Sequence, residues 1–175
     1  MARISYIQEQ DHPELAELIG RVRGGRGGRL LNPYRMLLHS PDVAASWFKH
    51  IGAVRWKTKL SGVVREIVIL RVGILNDVSY VVNTHLDRYA LQDGMTQAQC
   101  DTIGNWESSD AFNDEERAVL AYTDAMTREV QVSDALFEPL KRHFNERQIL
   151  ELTVLIATYN MHTRVLAALD VDPEA

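Results

Sequence analysis

The chain has 175 residues, of which 46% are hydrophobic and 25% charged, and its formal net charge is -5. That length suits one compact domain with a real core, and the acidic balance argues against nucleic acid as the main partner. No apolar run approaches the roughly 20 residues that span a bilayer. The opening MARISYIQEQDHPE lacks the apolar centre of a secretory signal, and a lone Cys100 forms no internal disulfide and fits a reducing cytoplasm. A cytoplasmic protein with no membrane role is the expectation.

In chain order, Pro13 to Val22 reads as a short amphipathic helix with Leu15, Leu18 and Ile19 on one side. It runs into a loop holding four glycines and four arginines between Arg21 and Arg29. Pro33 suits a first helical position, and Ser40-Pro41 starts a helix with Val43, Trp47, Ile51 and Val54 at helical spacing. Ser61 is placed to cap a helix carrying Glu66, and Asp77 to cap one carrying His85. Thr96 caps a brief segment to Ile103, and Asn113 opens a helix whose Val119, Leu120, Thr123 and Met126 repeat at three and four. Ser133 begins a helix that Pro139 should kink or shorten. A last apolar helix runs from about Glu146 to Leu169, after which VDPEA is expected to fray.

No strand period of two persists. The run IVILRV is β-rich in composition, but it lies in a stretch of ten residues, Val63 to Val72, without glycine or proline, which favours a buried helix. The fold class is therefore all-α: a helical bundle in one domain, with residues 1–60 as an N-terminal helical extension and residues 61–170 as the core helices. The segments VVREIVIL and QILELTVL echo one another, each placing a glutamate in an apolar helix.

The chemistry centres on Glu66 and His85. Glu66 has Gly62, Val63, Ile69 and Leu70 as helical neighbours. A carboxylate among them is desolvated, and desolvation favours the protonated form that a general acid or base exploits. The structural alternative is a buried ion pair with Arg71 or Arg65. His85 shares its face with Val78, Val81, Val82 and Tyr89, where burial keeps an imidazole neutral as a base. Its structural alternative is a core histidine bonded to a carbonyl. The six histidines show no HxxxH, HxH or HExxH spacing, so no metal is expected, and His39, His50, His143 and His162 read as surface or helix-end residues. The arginine–glycine loop matches neither a P-loop nor a dinucleotide fingerprint, so no cofactor is expected. Arg23, Arg26 and Arg29 are able to embrace a carboxylate or phosphate; the alternative is a solvated loop or one packed across a neighbouring subunit. Tyr34 is a candidate for lining a pocket.

The order R-E-x-V-I-L-R-V, then N-x-x-x-Y-x-x-x-x-H, an acidic helix start and a closing Y-N-M-x-x-R resembles the carboxymuconolactone decarboxylase family in its alkylhydroperoxidase-D-like branch. The likeness runs from about Gly27 to Pro173 and includes GGRLLNPYRMLLHSP. It implies an all-α fold, a small-molecule substrate, a pocket between helices near a subunit contact, and a homo-oligomer, a trimer or hexamer before a dimer. In the family's peroxidases a glutamate, a C-x-x-C pair and a histidine four residues later form a proton relay and a redox dithiol. Glu66 and His85 fall on the glutamate and histidine, whereas Val78 and Val81 fall on the two cysteines. Peroxide reduction by that route needs a thiolate and a resolving thiol, and Cys100 lies in a different segment with no second cysteine.

The decarboxylase branch lacks the cysteine pair and handles a small carboxylated lactone by acid–base chemistry. His85, in N-T-H-L-D-R, resembles that branch's R-L-H-L-R. Two features depart from it: Glu66 stands where those enzymes have a small polar residue, and the chain carries an N-terminal extension. The resemblance thus implies a cysteine-independent acid–base enzyme, decarboxylase- or lyase-like, with Glu66 and His85 catalytic and Tyr34, Arg71, Val78 and Val81 contacting substrate. The other classes are a non-catalytic oligomeric binding protein and, last, a residual peroxidase acting through Cys100.

Overall fold

The computed structural model describes residues 1–174, and among them the secondary structure is helical throughout. The α-helices are α1 (Ala16–Gly24), α2 (Asn32–Leu37), α3 (Pro41–Trp56), α4 (Gly62–Leu75), α5 (Ser79–Arg88), α6 (Gln97–Thr102), α7 (Asp114–Arg128), α8 (Asp134–Phe137) and α9 (Glu146–Leu169). The β-rich IVILRV run is the centre of α4, as its flanks require. The chain forms two compact units, one of residues 1–57 with 165–175 and one of residues 58–164.

In the first unit a 3-10 turn over Pro13–Leu15 leads into α1. Leu15, Leu18 and Ile19, the apolar stripe that the spacing predicts, are buried together with Val22, Tyr34, Leu38 and Ala44. Helix α1 continues to Gly24, so the arginine–glycine segment is partly helical. The remainder is a closed turn in which the Gly28 N–H donates to the Arg23 carbonyl at 2.9 Å. Gly27 and Gly28 there take positive φ angles of 62° and 81°, which glycine adopts without steric cost. Pro33 sits in the first turn of α2 as expected. Val43 is exposed, so the buried face of α3 is set by Ala44, Ile51 and Val54.

The expected fraying of the last residues does not occur over Val171–Glu174; Ala175 lies outside the described residues. Val171 is buried. The Asp172 carboxylate accepts from the Ala2 N–H and the Tyr6 hydroxyl, each at 3.1 Å. Asn32 donates its backbone N–H to Glu174 and its side-chain amide to the carbonyls of Asp172 and Pro173. Composition alone reads as fraying because these partners lie some 140–170 residues away in sequence.

In the second unit Ser61 caps α4 by accepting from the Val64 N–H at 3.2 Å. Asp77 does not cap α5. It adopts φ 54°, and Val78 is the N-cap residue. The Asp77 N–H donates to the Ile74 carbonyl and the Val78 N–H to the Gly73 carbonyl. These are the two bonds of a Schellman ending, with aspartate accepting the left-handed position glycine usually fills. Asp77 therefore stops α4 and turns the chain back so that α5 packs on it. At Gly73 an added Cβ would lie 3.0 Å from Val82, which shows how closely the two helices approach.

Thr96 with Gln99 and Asn113 with Glu116 form full capping boxes at the starts of α6 and α7. Pro139 ends α8 after one turn and diverts the chain into a 3-10 segment over Glu138–Arg142. Asn145 and Gln148 exchange backbone-to-side-chain bonds at the start of α9.

The tail's anchorage should depend on pH. Asp172 is held below the ordinary aspartate value of 3.8, chiefly by the Ala2 N–H, against an opposing effect of burial and with help from the Tyr6 hydroxyl. A lowered carboxyl contributes its stabilisation in full above its unfolded value and loses it as pH falls through the folded one. Amide hydrogen exchange at Ala2 and Asp172, corrected for intrinsic rate, should accelerate below about pH 3.8. In an Asp172→Ala variant it should be fast already at pH 7.

Candidate active site

Helix α4 is enclosed by protein along most of its length: every residue from Val64 to Gly73 is buried. It packs against α5 and α7. Three charged side chains lie in this buried stretch, Arg65, Glu66 and Arg71. A buried charge needs a close partner, and the three partners define the site.

Glu66 is fully buried and His85, from α5, is 5% exposed. The His85 Nδ1 lies 2.5 Å from the Glu66 Oε2, a direct contact between the two residues that the sequence singles out separately. On the other carboxylate oxygen the Arg65 Nε approaches Oε1 to 3.8 Å, while the Arg65 Nη2 donates to Asp93 at 2.7 Å. A chain of contacts, Asp93–Arg65–Glu66–His85, thus runs from the turn after α5 into the interior. An imidazole whose Nδ1 is bonded to a carboxylate handles protons through Nε2.

The aromatic surroundings come from two helices. The Tyr89 ring lies 5.1 Å from that of His85, and the Tyr159 ring of α9 meets it edge-on at 5.9 Å. Tyr159 in turn meets His162 at 5.8 Å. In the sequence Tyr159 stands out only as the first letter of the closing Y-N-M-x-x-R. A buried tyrosine at the middle of an apolar helix is the signal that was available.

Val78 and Val81 are both buried in the same unit, Val78 at the N-cap of α5 and Val81 one turn before His85. Arg71 is not the cation beside Glu66. Its Nε and Nη2 form a two-pronged pair with Asp124 of α7, both at 2.6 Å, and its Nη1 donates to the carbonyls of Ile103 and Gly104. These bonds engage every nitrogen of the guanidinium. Tyr34 belongs to the first unit, where its hydroxyl accepts from the Arg26 Nη2 at 2.7 Å and its ring packs edge-on against Phe48. Cys100 is half-buried, and burial, then the Asp101 charge, push its thiol above the ordinary value, away from the thiolate a peroxidatic cysteine uses.

The all-helical chain has the architecture of the alkylhydroperoxidase-D-like fold. A structure of the alkylhydroperoxidase AhpD core, an uncharacterised peroxidase-related protein from Ralstonia eutropha JMP134, superposes with a TM-score of 0.81 at 20% identity. That match covers 99% of this chain and 92% of the other. The debrominase Bmp8 in complex with 2,3,4-tribromopyrrole superposes with a TM-score of 0.80 at 20% identity, covering 100% and 95%. The uncharacterised protein YnjA of Escherichia coli K12 is 29% identical over 146 residues, 82% of this chain and 80% of its own length. Residues 41–125 match the model of the carboxymuconolactone decarboxylase family, and the chain has no C-x-x-C pair, its one cysteine being Cys100.

The Arg71–Asp124 pair should be a stability determinant. Asp124→Ala leaves a buried guanidinium without its counter-ion and should destabilise the fold by about 3–5 kcal/mol. In urea unfolding, the double variant Arg71→Met/Asp124→Leu should recover most of that loss, because no charge is then stranded.

Proposed function

We propose that the protein is a cysteine-independent acid–base enzyme of the decarboxylase or lyase type, in which His85 moves the proton and Glu66 positions it. The observation that carries this reading is the direct contact between the Glu66 Oε2 and the His85 Nδ1 in a buried setting. The carboxylate fixes the tautomer, so that Nε2 accepts a proton from a substrate carbon or oxygen. It then stabilises the imidazolium that results, the role a carboxylate plays behind a catalytic imidazole. In a decarboxylation the sense is reversed: loss of CO2 leaves an electron pair on carbon, and the imidazolium Nε2–H delivers the proton that quenches it. Arg65 places positive charge beside Glu66 throughout.

The substrate class is a small, carboxylated, unsaturated or cyclic molecule. Val78 and Val81 would give it an apolar wall where the family's peroxidases carry sulfur, and Tyr89 and Tyr159 would bound the imidazole. That Bmp8 holds a tribromopyrrole supports a small ring as a ligand suited to this fold. The proposal includes a cytoplasmic homo-oligomer, trimeric or hexameric. A second reading, a binding protein that keeps the pair for structure alone, is favoured by how completely the single chain encloses Glu66 and His85.

Solvent-deuterium incorporation, followed by NMR across a panel of small cyclic carboxylates and lactones, separates the two readings. The wild type and Cys100→Ser should exchange or decarboxylate at least one member at equal rates. His85→Ala and Glu66→Gln should be slower by about 10²–10⁴-fold with circular dichroism unchanged. Saturable binding without turnover of any member would sink the enzymatic reading and leave the binding protein. Undiminished turnover by His85→Ala would remove His85 from the mechanism.

A further inference from the structure

The first unit contains a groove that the Glu66–His85 reading does not use. Along α3, Ala45, Lys49, Gly52 and Trp56 follow one another at four, three and four residues and so form a single row. Together with Leu18 and Arg21 of α1 and the Gly25–Arg26 turn, this row borders a cavity of about 680 Å3. That is the size of a small-molecule site.

Three observations bear on its occupant. Gly52 lies in the interior of α3, where glycine weakens a helix relative to alanine. An added Cβ there would meet no atom within 4 Å, so packing within the chain does not require the glycine. Its effect is to leave the groove open. The walls are apolar and aromatic: Leu18, Phe48 and a Trp56 that is 51% exposed. The Arg26 guanidinium is held against this wall, 5.4 Å from the centre of the Phe48 ring and bonded to the Tyr34 hydroxyl.

The third observation is charge. Arg21, Arg26, Lys49 and Lys57 line the groove against a single carboxylate, Asp42, on a chain whose net charge is -5. Among the described residues, Arg21, Lys49 and Lys57 form no ion pair. An apolar recess rimmed by unneutralised cations is complementary to a molecule with an apolar body and one anionic end.

We propose that this groove binds a medium-chain organic carboxylate, its acyl body along Ala45, Gly52 and Trp56 and its carboxylate among Arg21, Lys49 and Lys57. The row from Ala45 to Trp56 is about 16 Å long at the helical rise of ~1.5 Å per residue, a length an acyl chain follows. The same groove of a second copy is a poor occupant, because two faces of like charge would meet. A flat anionic membrane would not need the recess that Gly52 preserves.

The test is calorimetric titration of the full chain with sodium dodecanoate below its micellar concentration, with dodecanol as the uncharged control. One dodecanoate should bind per chain, at least tenfold more tightly than dodecanol. Gly52→Leu, which fills open space and strengthens the helix, should weaken dodecanoate at least tenfold while the melting temperature holds or rises. Arg21→Glu/Lys49→Glu should weaken it by a similar factor. Equal affinity for dodecanoate and dodecanol would overturn the role of the cations. Binding to phosphatidylglycerol vesicles with none to free dodecanoate would overturn the proposal in favour of a membrane surface. A Gly52→Leu variant that binds dodecanoate normally but changes oligomeric state in sedimentation would overturn it in favour of a helix contact between copies.

Discussion

The second unit is organised by the burial of three charges on one helix. Arg65, Glu66 and Arg71 lie within two turns of α4, in a stretch where every residue is buried. Each would be prohibitive alone, since an unpaired ion in a protein interior costs several kcal/mol. Each is matched by a different segment: Arg65 by Asp93 in the turn after α5, Glu66 by His85 on α5, and Arg71 by Asp124 on α7. The pairings therefore set which face of α5 meets α4, where the following turn comes to rest, and how α7 lies. Hydrophobic contacts among valines, isoleucines and leucines tolerate sliding; two ion pairs and a carboxylate–imidazole contact with distinct partners do not. The Arg71 bonds to the carbonyls of Ile103 and Gly104 extend this control to the 3-10 segment before α7.

Within that frame the Glu66–His85 contact has a double character. As structure, it satisfies a fully buried carboxylate. As chemistry, the proposal reads it as a carboxylate–imidazole arrangement in which one nitrogen is bonded to the carboxylate and the other carries the proton. Under the proposed mechanism the two roles do not compete, because an imidazole that transfers a proton must be held rigidly to be effective. Val78 and Val81, which the resemblance places at the thiol positions of the peroxidases, carry no sulfur. The raised Cys100 thiol does not supply what the valines lack.

Much of this was legible in the sequence, for a specific reason. The period of three and four marks which face of a helix is buried, so Glu66 and His85 each stand out as polar groups on apolar faces. The same signal locates the helices, including the β-rich centre of α4. Periodicity carries no information about which buried group meets which. It allowed Arg71 or Arg65 as the cation near Glu66, and only the three-dimensional arrangement assigns Arg65 there and Arg71 to Asp124. Asp77 shows a local ambiguity of another kind: a residue suited to cap α5 is equally suited to the left-handed position that closes α4, and the second use prevails. The ordered tail was hidden because its anchors, Ala2, Tyr6 and Asn32, are remote in sequence.

The echo between VVREIVIL and QILELTVL shows how little shared lettering fixes about chemistry. Glu66 has Gly62 four residues before it and Leu70 four after, so no helical neighbour on its own face offers a charge, and it is satisfied from another helix by His85. Glu151 has Arg147 four residues before it and pairs with it at 2.9 Å, while its second oxygen accepts from the Lys59 N–H at 2.7 Å. An arginine at that single position supplies a partner from within α9 and keeps the carboxylate near solvent. The absence of one at Gly62 forces Glu66 to find its partner across the core. Two segments that echo one another around a glutamate are thus divided by one neighbour a turn away, and only one of them yields a buried carboxylate–imidazole contact.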